Sequence, residues 1–256
     1  MSHPTATLIW FAFRDDADCL VQSVRAARHH AADSRRIIAQ DAAAPLPPEI
    51  QAQLKELGCQ VESDFVDRAG NLNGAAHFEH QLEWFAAFSG HVDWVVKIDC
   101  DTVINAPLPS WLHLADPSHM AVCALQPTWW FQGCCYAVRA AALPGLRHHL
   151  AAHPQALREC APKFPEDTCL GHLITSAHGP KAILALPGGH ASTLFHGLQI
   201  AHYDYQTWPP FETYAPFRTL HFGNRTALPK HMPDPVRRQA VAQTMTRYLD
   251  QAGIPP

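Results

Sequence analysis

Apolar runs and segments with helical periodicity alternate along the first hundred residues of the chain. Such alternation predicts strand–helix–strand units, and therefore a mostly parallel sheet with helices packed against it. The predicted strands are residues 7–13, 36–40, 59–66 and 93–98. The predicted helices are residues 16–30, 48–58 and 73–88. This half therefore reads as a Rossmann-like α/β unit that ends in two aspartates.

The second half of the chain is less regular. Strand-like residues 119–126 precede an aromatic, glycine-containing stretch at 128–138, and two helical segments follow. The proline-rich stretch 208–216 predicts a loop, and residues 234–253 predict a closing helix that ends at Gly253. We interpret this half as a region built onto the first sheet, within a single domain that spans 1–256.

Composition narrows the class of protein. Hydrophobic residues make up 47% of the chain and charged residues 16%, as expected of a folded α/β protein. The net charge is -4 and no basic block is present, so nucleic acid is not an expected partner. The apolar stretch near the start covers only about seven residues, too short for a signal peptide or a transmembrane segment. We therefore expect a cytoplasmic protein whose eight cysteines are thiols.

Two carboxylates stand directly after the fourth predicted strand. Asp99 and Asp101 follow the apolar run 94–98, and the carboxyl ends of parallel strands are where such sheets bind ligands. Residues two apart on an extended segment project to the same side, so both can face one cation. Carboxylate oxygens suit Mn²⁺ or Mg²⁺, which in turn bind diphosphates, and Lys97 would add a further positive charge. A lone D-x-D triplet also occurs in plain turns, but its position after a buried strand favours the metal.

Four segments in this order resemble the fringe and β-1,3-galactosyltransferase-like families. They are VVKIDCDTVI at 95–104, WWFQGCCYAVRAAAL at 129–143, FPEDTCLGHLI at 164–174 and LHFGN at 220–224. The resemblance implies a GT-A glycosyltransferase fold, an α/β architecture with a mostly parallel central sheet. It divides the chain into a nucleotide-sugar-binding half, 1–105, and an acceptor-binding half with the closing helix, 106–256. Residues on the acceptor side would be Trp129, Trp130 and Gly133.

The resemblance also implies roles for later residues. Asp167 would be the catalytic base of an inverting transfer, with Glu166 beside it. The plainer alternative is that both acids only cap a helix. His221 would be a third metal ligand, although a histidine between Leu220 and Phe222 is equally typical of a core position. His196 and His202 rank lower as ligands.

The nucleotide is expected near the end of the first strand and in the loop after the third. The residues assigned to it, with Lys97 and Asp99, are Phe11, Ala12, Phe13, Arg14, Arg68, Asn71 and Asn73. Neither loop is a P-loop or a G-x-G-x-x-G loop. His77 and His80 share one helical face and offer a weaker zinc alternative, because no third ligand with suitable spacing follows.

The sequence thus predicts a metal-dependent inverting transferase that moves a sugar from a nucleotide-sugar, expected to be a UDP-sugar, to a carbohydrate or lipid-linked acceptor. Two alternatives stay open. A sugar nucleotidyltransferase shares the sheet and the metal, but should carry a glycine-rich loop after the first strand, which FRDDADC lacks. A non-catalytic carbohydrate- or nucleotide-binding domain would keep the fold without the activity.

Overall fold

The computed structural model describes residues 4–65, 75–125, 131–160, 166–190, 200–202, 218–222 and 234–256. Its strands are β1 Ala6–Ala12, β2 Arg35–Asp41, β3 Cys59–Phe65, β4 Trp94–Ile98, β5 Thr102–Ile104, β6 Ala121–Leu125, β7 Phe131–Arg139, β8 Ile183–His190, β9 Ile200–His202 and β10 Thr219–His221. Its helices are α1 Ala17–His30, α2 Pro48–Glu56, α3 Ala75–Ala87, α4 Pro109–Leu112, α5 Leu143–Ala152, α6 Pro154–Cys160, α7 Glu166–His178 and α8 Asp234–Gln251. Short 3-10 turns cover Arg14–Asp16, Ala140–Ala142 and Pro180–Ala182.

The strands form one sheet in the order β3-β2-β1-β4-β7-β6-β8-β9-β10-β5. Strands β1 to β4 are parallel, as the alternating pattern predicts, and the pairs β6–β8, β8–β9 and β9–β10 are parallel too. Strand β7 runs antiparallel to both β4 and β6, and β5 runs antiparallel to β10. The carboxyl ends of β1 and β4 therefore lie at the same edge as the start of β7.

Helices cover both faces of the sheet because the buried strands are apolar on both sides. On one face α1, α2 and α4 pack over residues such as Leu8, Trp10 and Val96. On the other face α3, α5 and α7 pack over residues such as Ile9 and Val95. The side chain of Lys97 belongs to this second face, by alternation from Val95.

The closing helix α8 covers the far end of the sheet. Met245, Tyr248 and Leu249 of α8 are buried against Val103 of β5 and Leu220 of β10, in a third apolar cluster. The Tyr248 hydroxyl donates a hydrogen bond to the side-chain oxygen of Asn105, 2.8 Å away. The predicted closing helix is thus confirmed, and it packs on β5, which follows the acidic pair, and on β10, which pairs with β5.

The second half contains more strand than its pattern indicates. Strand β6 lies within the strand-like residues 119–126, and β7 begins at Phe131 within the aromatic stretch; residues 126–130 lie outside the described residues. Strand β8 was not predicted, because Pro187, Gly188 and Gly189 are residues typical of turns rather than strands. The three-residue strands β5, β9 and β10 are too short to produce a detectable alternation.

The described residues also bear on the expectations about membrane-spanning segments and cysteine thiols. None of the helices there combines the length and the apolar character needed to cross a membrane. The cysteines whose side chains are described are all buried and free of disulfide bonds, consistent with their role as small hydrophobic residues.

Candidate active site

The acidic pair lies at the carboxyl edge of β4, where the sequence places it. The backbone nitrogen of Asp99 donates to the carbonyl oxygen of Cys134 on β7, at 2.9 Å, so β7 holds the first aspartate in line with its strand. The backbone nitrogen of Thr102 then donates to the Asp99 carbonyl at 3.0 Å, which closes a tight turn. Both carboxylates remain about one-third exposed, at 31% for Asp99 and 32% for Asp101, and are open to a ligand.

Strand pairing brings His221 to this turn from far along the chain. His221 lies opposite Thr102 in the antiparallel pair of β10 and β5, and the backbone nitrogen of Phe222 donates to the Asp101 carbonyl at 2.9 Å. The His221 Nε2 atom is 3.2 Å from Oδ1 of Asp101. His202, the competing histidine, lies beside His221 in the parallel register of β9, while His196 lies outside the described residues.

Two carboxylates and one imidazole therefore form a group suited to a divalent cation. Ligand atoms of Asp99, Asp101 and His221 all lie within 4.8 Å of one another, and within the described ranges no other set of at least three such side chains meets this condition. Oxygen ligands with one imidazole fit Mn²⁺ or Mg²⁺ and leave coordination positions for a second partner. The donor set thus fits the predicted metal.

The electrostatics of His221 follow from the same contact. Burial lowers its pKa, but the neighbouring carboxylate of Asp101 more than offsets this effect, so the pKa lies above the usual value of 6.5. The raised pKa favours the protonated imidazole, whose positive charge pairs with the Asp101 carboxylate when no metal is bound. A cation bound between them would replace the proton in that role.

Lys97 connects the acidic pair to the second acidic site. Only 2% of its side chain is exposed, and its ammonium group pairs with Oδ1 of Asp99 and lies 3.3 Å from Oε1 of Glu166. Burial lowers the pKa of Lys97, yet the two carboxylates outweigh burial and hold the pKa well above its ordinary value. Lys97 thus brings a positive charge to the site, as expected from the sequence, but its ammonium group pairs with Asp99 and Glu166 of the protein itself.

Glu166 and Asp167 form the first turn of α7, which packs on β7. Glu166 is buried, and burial together with the nearby Asp167 and Asp99 raises its pKa to about 7, against the opposing effect of Lys97. Asp167 is partly exposed, and burial raises its pKa too, while Lys97 lowers it. The backbone nitrogen of Thr168 donates to Oδ1 of Asp167 at 2.6 Å, so this acid also accepts a bond from the first turn of its own helix.

Tyr136 was not predicted to belong to this centre. It pairs with Lys97 in the register of β7 and β4, and the lysine ammonium lies 5.7 Å from the centre of its ring. Gln81 of α3 donates to the Tyr136 hydroxyl at 3.0 Å. The aromatic stretch around residue 136 was the available signal, but only the antiparallel register shows which aromatic residue meets the lysine.

The predicted nucleotide residues divide into two groups. Phe11 and Ala12 are buried, and the Phe11 ring packs against Phe65, with ring centres 4.7 Å apart. Phe13 is partly exposed and Arg14 is exposed, so these two offer surface to a ligand. Arg68, Asn71 and Asn73 lie outside the described residues, as do Trp129 and Trp130 on the predicted acceptor side. Gly133 lies within β7 near the carboxyl edge of β4.

The zinc alternative on α3 has no support among the described contacts. His80 accepts a hydrogen bond from the indole nitrogen of Trp84 at 3.1 Å, and its other ring nitrogen lies 3.3 Å from Glu83. Its ring stacks on Phe65, with centres 5.4 Å apart. His80 therefore packs against Phe65 and Trp84.

The parallel strands β3-β2-β1-β4, the antiparallel β7 beside them and the flanking helices define a GT-A fold, the α/β architecture of many glycosyltransferases. The chain is similar to the galactosyltransferase LgtC in complex with donor and acceptor sugar analogues, at a TM-score of 0.55 and 13% identity over 96% of this chain and 95% of that one. The chain is also similar to a glycosyltransferase involved in the glycosylation of the major capsid of PBCV-1. The TM-score is 0.55 and the sequence identity 12%, over 94% of this chain and 100% of that one.

A third similar structure is larger. The bifunctional glycosyltransferase WbbM matches at a TM-score of 0.54 and 10% identity, over 97% of this chain, which spans about half (52%) of WbbM. No protein-family model and no curated protein matches the sequence. At these identities the likeness shows the fold alone.

Proposed function

We propose that this protein is a metal-dependent inverting glycosyltransferase that moves a sugar from a UDP-sugar to a hydroxyl group of a carbohydrate or lipid-linked acceptor. One observation supports the proposal above all. The ligand atoms of Asp99, Asp101 and His221 converge within 4.8 Å at the carboxyl edge of a parallel sheet, which is the edge where such folds bind ligands.

Asp99, Asp101 and His221 would hold a divalent ion whose charge offsets the negative charge that develops on a departing nucleoside diphosphate. The protein's own residues prepare this position. The backbone bonds to Cys134 and from Phe222 fix the backbone of the turn that carries the two carboxylates before a ligand binds. Lys97 balances the charge of Asp99 from the buried side.

The base in this proposal is Asp167, which takes the proton from the acceptor hydroxyl as the oxygen attacks the sugar. Glu166 is buried and paired with Lys97, so it is poorly placed to meet an acceptor. Asp167 is partly exposed, and burial raises its pKa above the ordinary aspartate value, which makes its carboxylate a stronger base than a fully solvated one. Attack from the side opposite the leaving group would invert the configuration at the anomeric carbon.

The first experiment measures UDP binding by titration calorimetry, with and without Mn²⁺. We expect affinity that depends on the metal in the wild type, loss of that dependence in Asp101→Asn, and wild-type behaviour in Asp33→Asn, which removes an exposed carboxylate elsewhere. Unchanged metal-linked binding in Asp101→Asn would contradict the metal role. Binding without any turnover of UDP-sugars would indicate the non-catalytic alternative.

The second experiment addresses the base and the stereochemistry. In Asp167→Asn we expect UDP affinity close to wild type, but turnover lower by about 10²–10⁴-fold, the usual contribution of a general base. The anomeric configuration of the product is read by NMR. Retention would overturn the inverting mechanism while leaving a glycosyltransferase, and release of pyrophosphate from a sugar phosphate and UTP would instead indicate the nucleotidyltransferase.

A further inference from the structure

The loop after β1 begins beside the acidic pair. Ile9 of β1 lies next to Lys97 of β4 in the parallel register, so Phe11 stands level with Asp99 two residues later. The thiol of Cys100 donates to the Phe11 carbonyl at 3.6 Å, which fixes that alignment. The residues that follow, Phe13–Asp16, therefore leave the sheet next to the proposed metal site.

The first half of helix α8 holds this loop through Arg238. The Nη1 atom of Arg238 lies 2.8 Å from Oδ1 of Asp16 and 3.4 Å from the carbonyl oxygen of Asp15. The guanidinium also lies over the ring of Phe13, with its central carbon 4.9 Å from the ring centre. The other oxygen of Asp16 accepts a bond from the backbone nitrogen of Phe13 at 3.4 Å. One arginine thus fixes both ends of the loop.

The same helix is anchored independently of this arginine. Met245 and Tyr248 are buried on β5 and β10, the strands adjoining Asp101 and carrying His221. Helix α8 therefore contacts both the strands of the metal ligands and the loop beside them. Arg238 itself is 31% exposed and lies outside that apolar cluster, so its contacts serve the loop and not the packing of the helix.

The loop presents an aromatic ring and a cation to the surroundings. Phe13 is partly exposed, Arg14 is exposed, and the Arg14 backbone nitrogen is held by the Ala44 carbonyl at 2.8 Å. An aromatic face with a neighbouring guanidinium suits a nucleobase and the phosphates attached to it. The guanidinium of Arg238 is already paired with Asp16, so it orients the loop and does not meet the phosphates itself.

We propose that Arg238 is a positioning residue for the donor nucleotide, acting through Asp16 and the ring of Phe13. This inference rests on the proposed function, since it requires a nucleotide-linked donor. It makes the closing helix part of the donor site although its arginine contacts no substrate. Because Arg238 and Asp16 act through the same ion pair, the losses of nucleotide affinity on replacing each of them should not add.

The test compares Arg238→Gln, Asp16→Asn and the double variant with Arg28→Gln, which removes an exposed arginine of α1. Affinity for the best-binding of UDP, GDP, ADP and CDP is measured by calorimetry with Mn²⁺, and melting temperature is recorded for each variant. We expect about tenfold weaker binding in each single variant and no further loss in the double variant. Arg28→Gln should bind as the wild type does.

Kinetics separate positioning from general destabilisation. In Arg238→Gln the donor KM should rise with little change in kcat, and Arg238→Lys should recover part of the affinity by restoring the pair with Asp16. Wild-type nucleotide affinity in Arg238→Gln, or fully additive losses in the double variant, would overturn the inference alone. Failure of the wild type to bind any of the four diphosphates with Mn²⁺ would overturn the proposed function and this inference with it.

Discussion

Replacing Lys97 by Met removes the charge at the centre of the site while keeping a side chain of similar length. The ammonium lies 3.3 Å from Oε1 of Glu166, with 2% and 6% of the two side chains exposed. Removing one partner from such a buried pair destabilises a protein by about 3–5 kcal/mol, because the other charge is left without compensation. Asp99 contributes less to this loss, since it is 31% exposed and water can solvate it.

The loss should depend on pH, with a definite sign. Burial raises the pKa of Glu166 to about 7, and Lys97 opposes that rise, so the variant should raise the pKa further. A carboxyl whose pKa is higher in the folded state than in the unfolded chain contributes stability at low pH, which is lost as pH rises through the folded pKa. The destabilisation by Lys97→Met should therefore be smaller near pH 5.5, where Glu166 is mostly protonated, than at about pH 8.5.

Urea unfolding followed by tryptophan fluorescence at the two pH values measures both effects. The matched control is Lys55→Met, which removes an exposed lysine of α2 and should change stability by less than about 0.5 kcal/mol. The double variant Lys97→Met/Glu166→Gln should regain stability at the higher pH. Wild-type stability of Lys97→Met at pH 8.5, or an equal loss at both pH values, would show that Lys97 does not compensate the charge of Glu166.

Three further predictions concern the support of the same site. Ser23→Ala removes the hydroxyl that donates to the carbonyl of Thr102, directly after the acidic pair, so unfolding free energy should fall by about 1–3 kcal/mol and Mn²⁺ should bind more weakly in calorimetry. Tyr248→Phe removes the bond to Asn105 and should lower the free energy of unfolding in urea by about 1 kcal/mol. Mn²⁺ should raise the melting temperature of the wild type, and chelator should reverse the rise; Asp99→Asn, measured in parallel by scanning calorimetry, should show neither change.

The first half of the fold can be predicted from the sequence because its strands and helices are each recognisable from neighbouring residues. Strands β1 and β4 are apolar runs, β2 has an apolar centre, β3 mixes apolar and polar residues, and each connection between these strands contains a helix. Helix α2, for example, has Pro48 at its start and Gly58 just past its end, where the backbone φ is +79°. Since parallel strands joined by helices share one direction, Asp99 and Asp101 at the end of β4 follow directly from the pattern.

The remaining parts of the site depend on contacts between distant segments. Apart from the resemblance of LHFGN, the apolar neighbours Leu220 and Phe222 do not distinguish a metal ligand from a core histidine. The pairing of β10 with β5, two strands of only three residues each, brings His221 to the acidic pair. One of the two partners of Lys97 is equally hard to predict from the sequence. Asp99 is only two residues away, but Glu166 reaches Lys97 only because α7 packs on β7, which in turn pairs with β4.

The site therefore forms only when the sheet is complete. The acidic turn belongs to β4 and β5, the histidine to β10, and the second acidic site to α7, which reaches the turn through Lys97. Because these elements are far apart in sequence, the local D-x-D triplet cannot bind a cation with the full ligand set unless the intervening strands are paired. Metal affinity should thus report on the folding of the second half as well as on the carboxylates, and a variant that weakens the packing of α8 on β5 and β10 should weaken Mn²⁺ binding even though it touches no ligand.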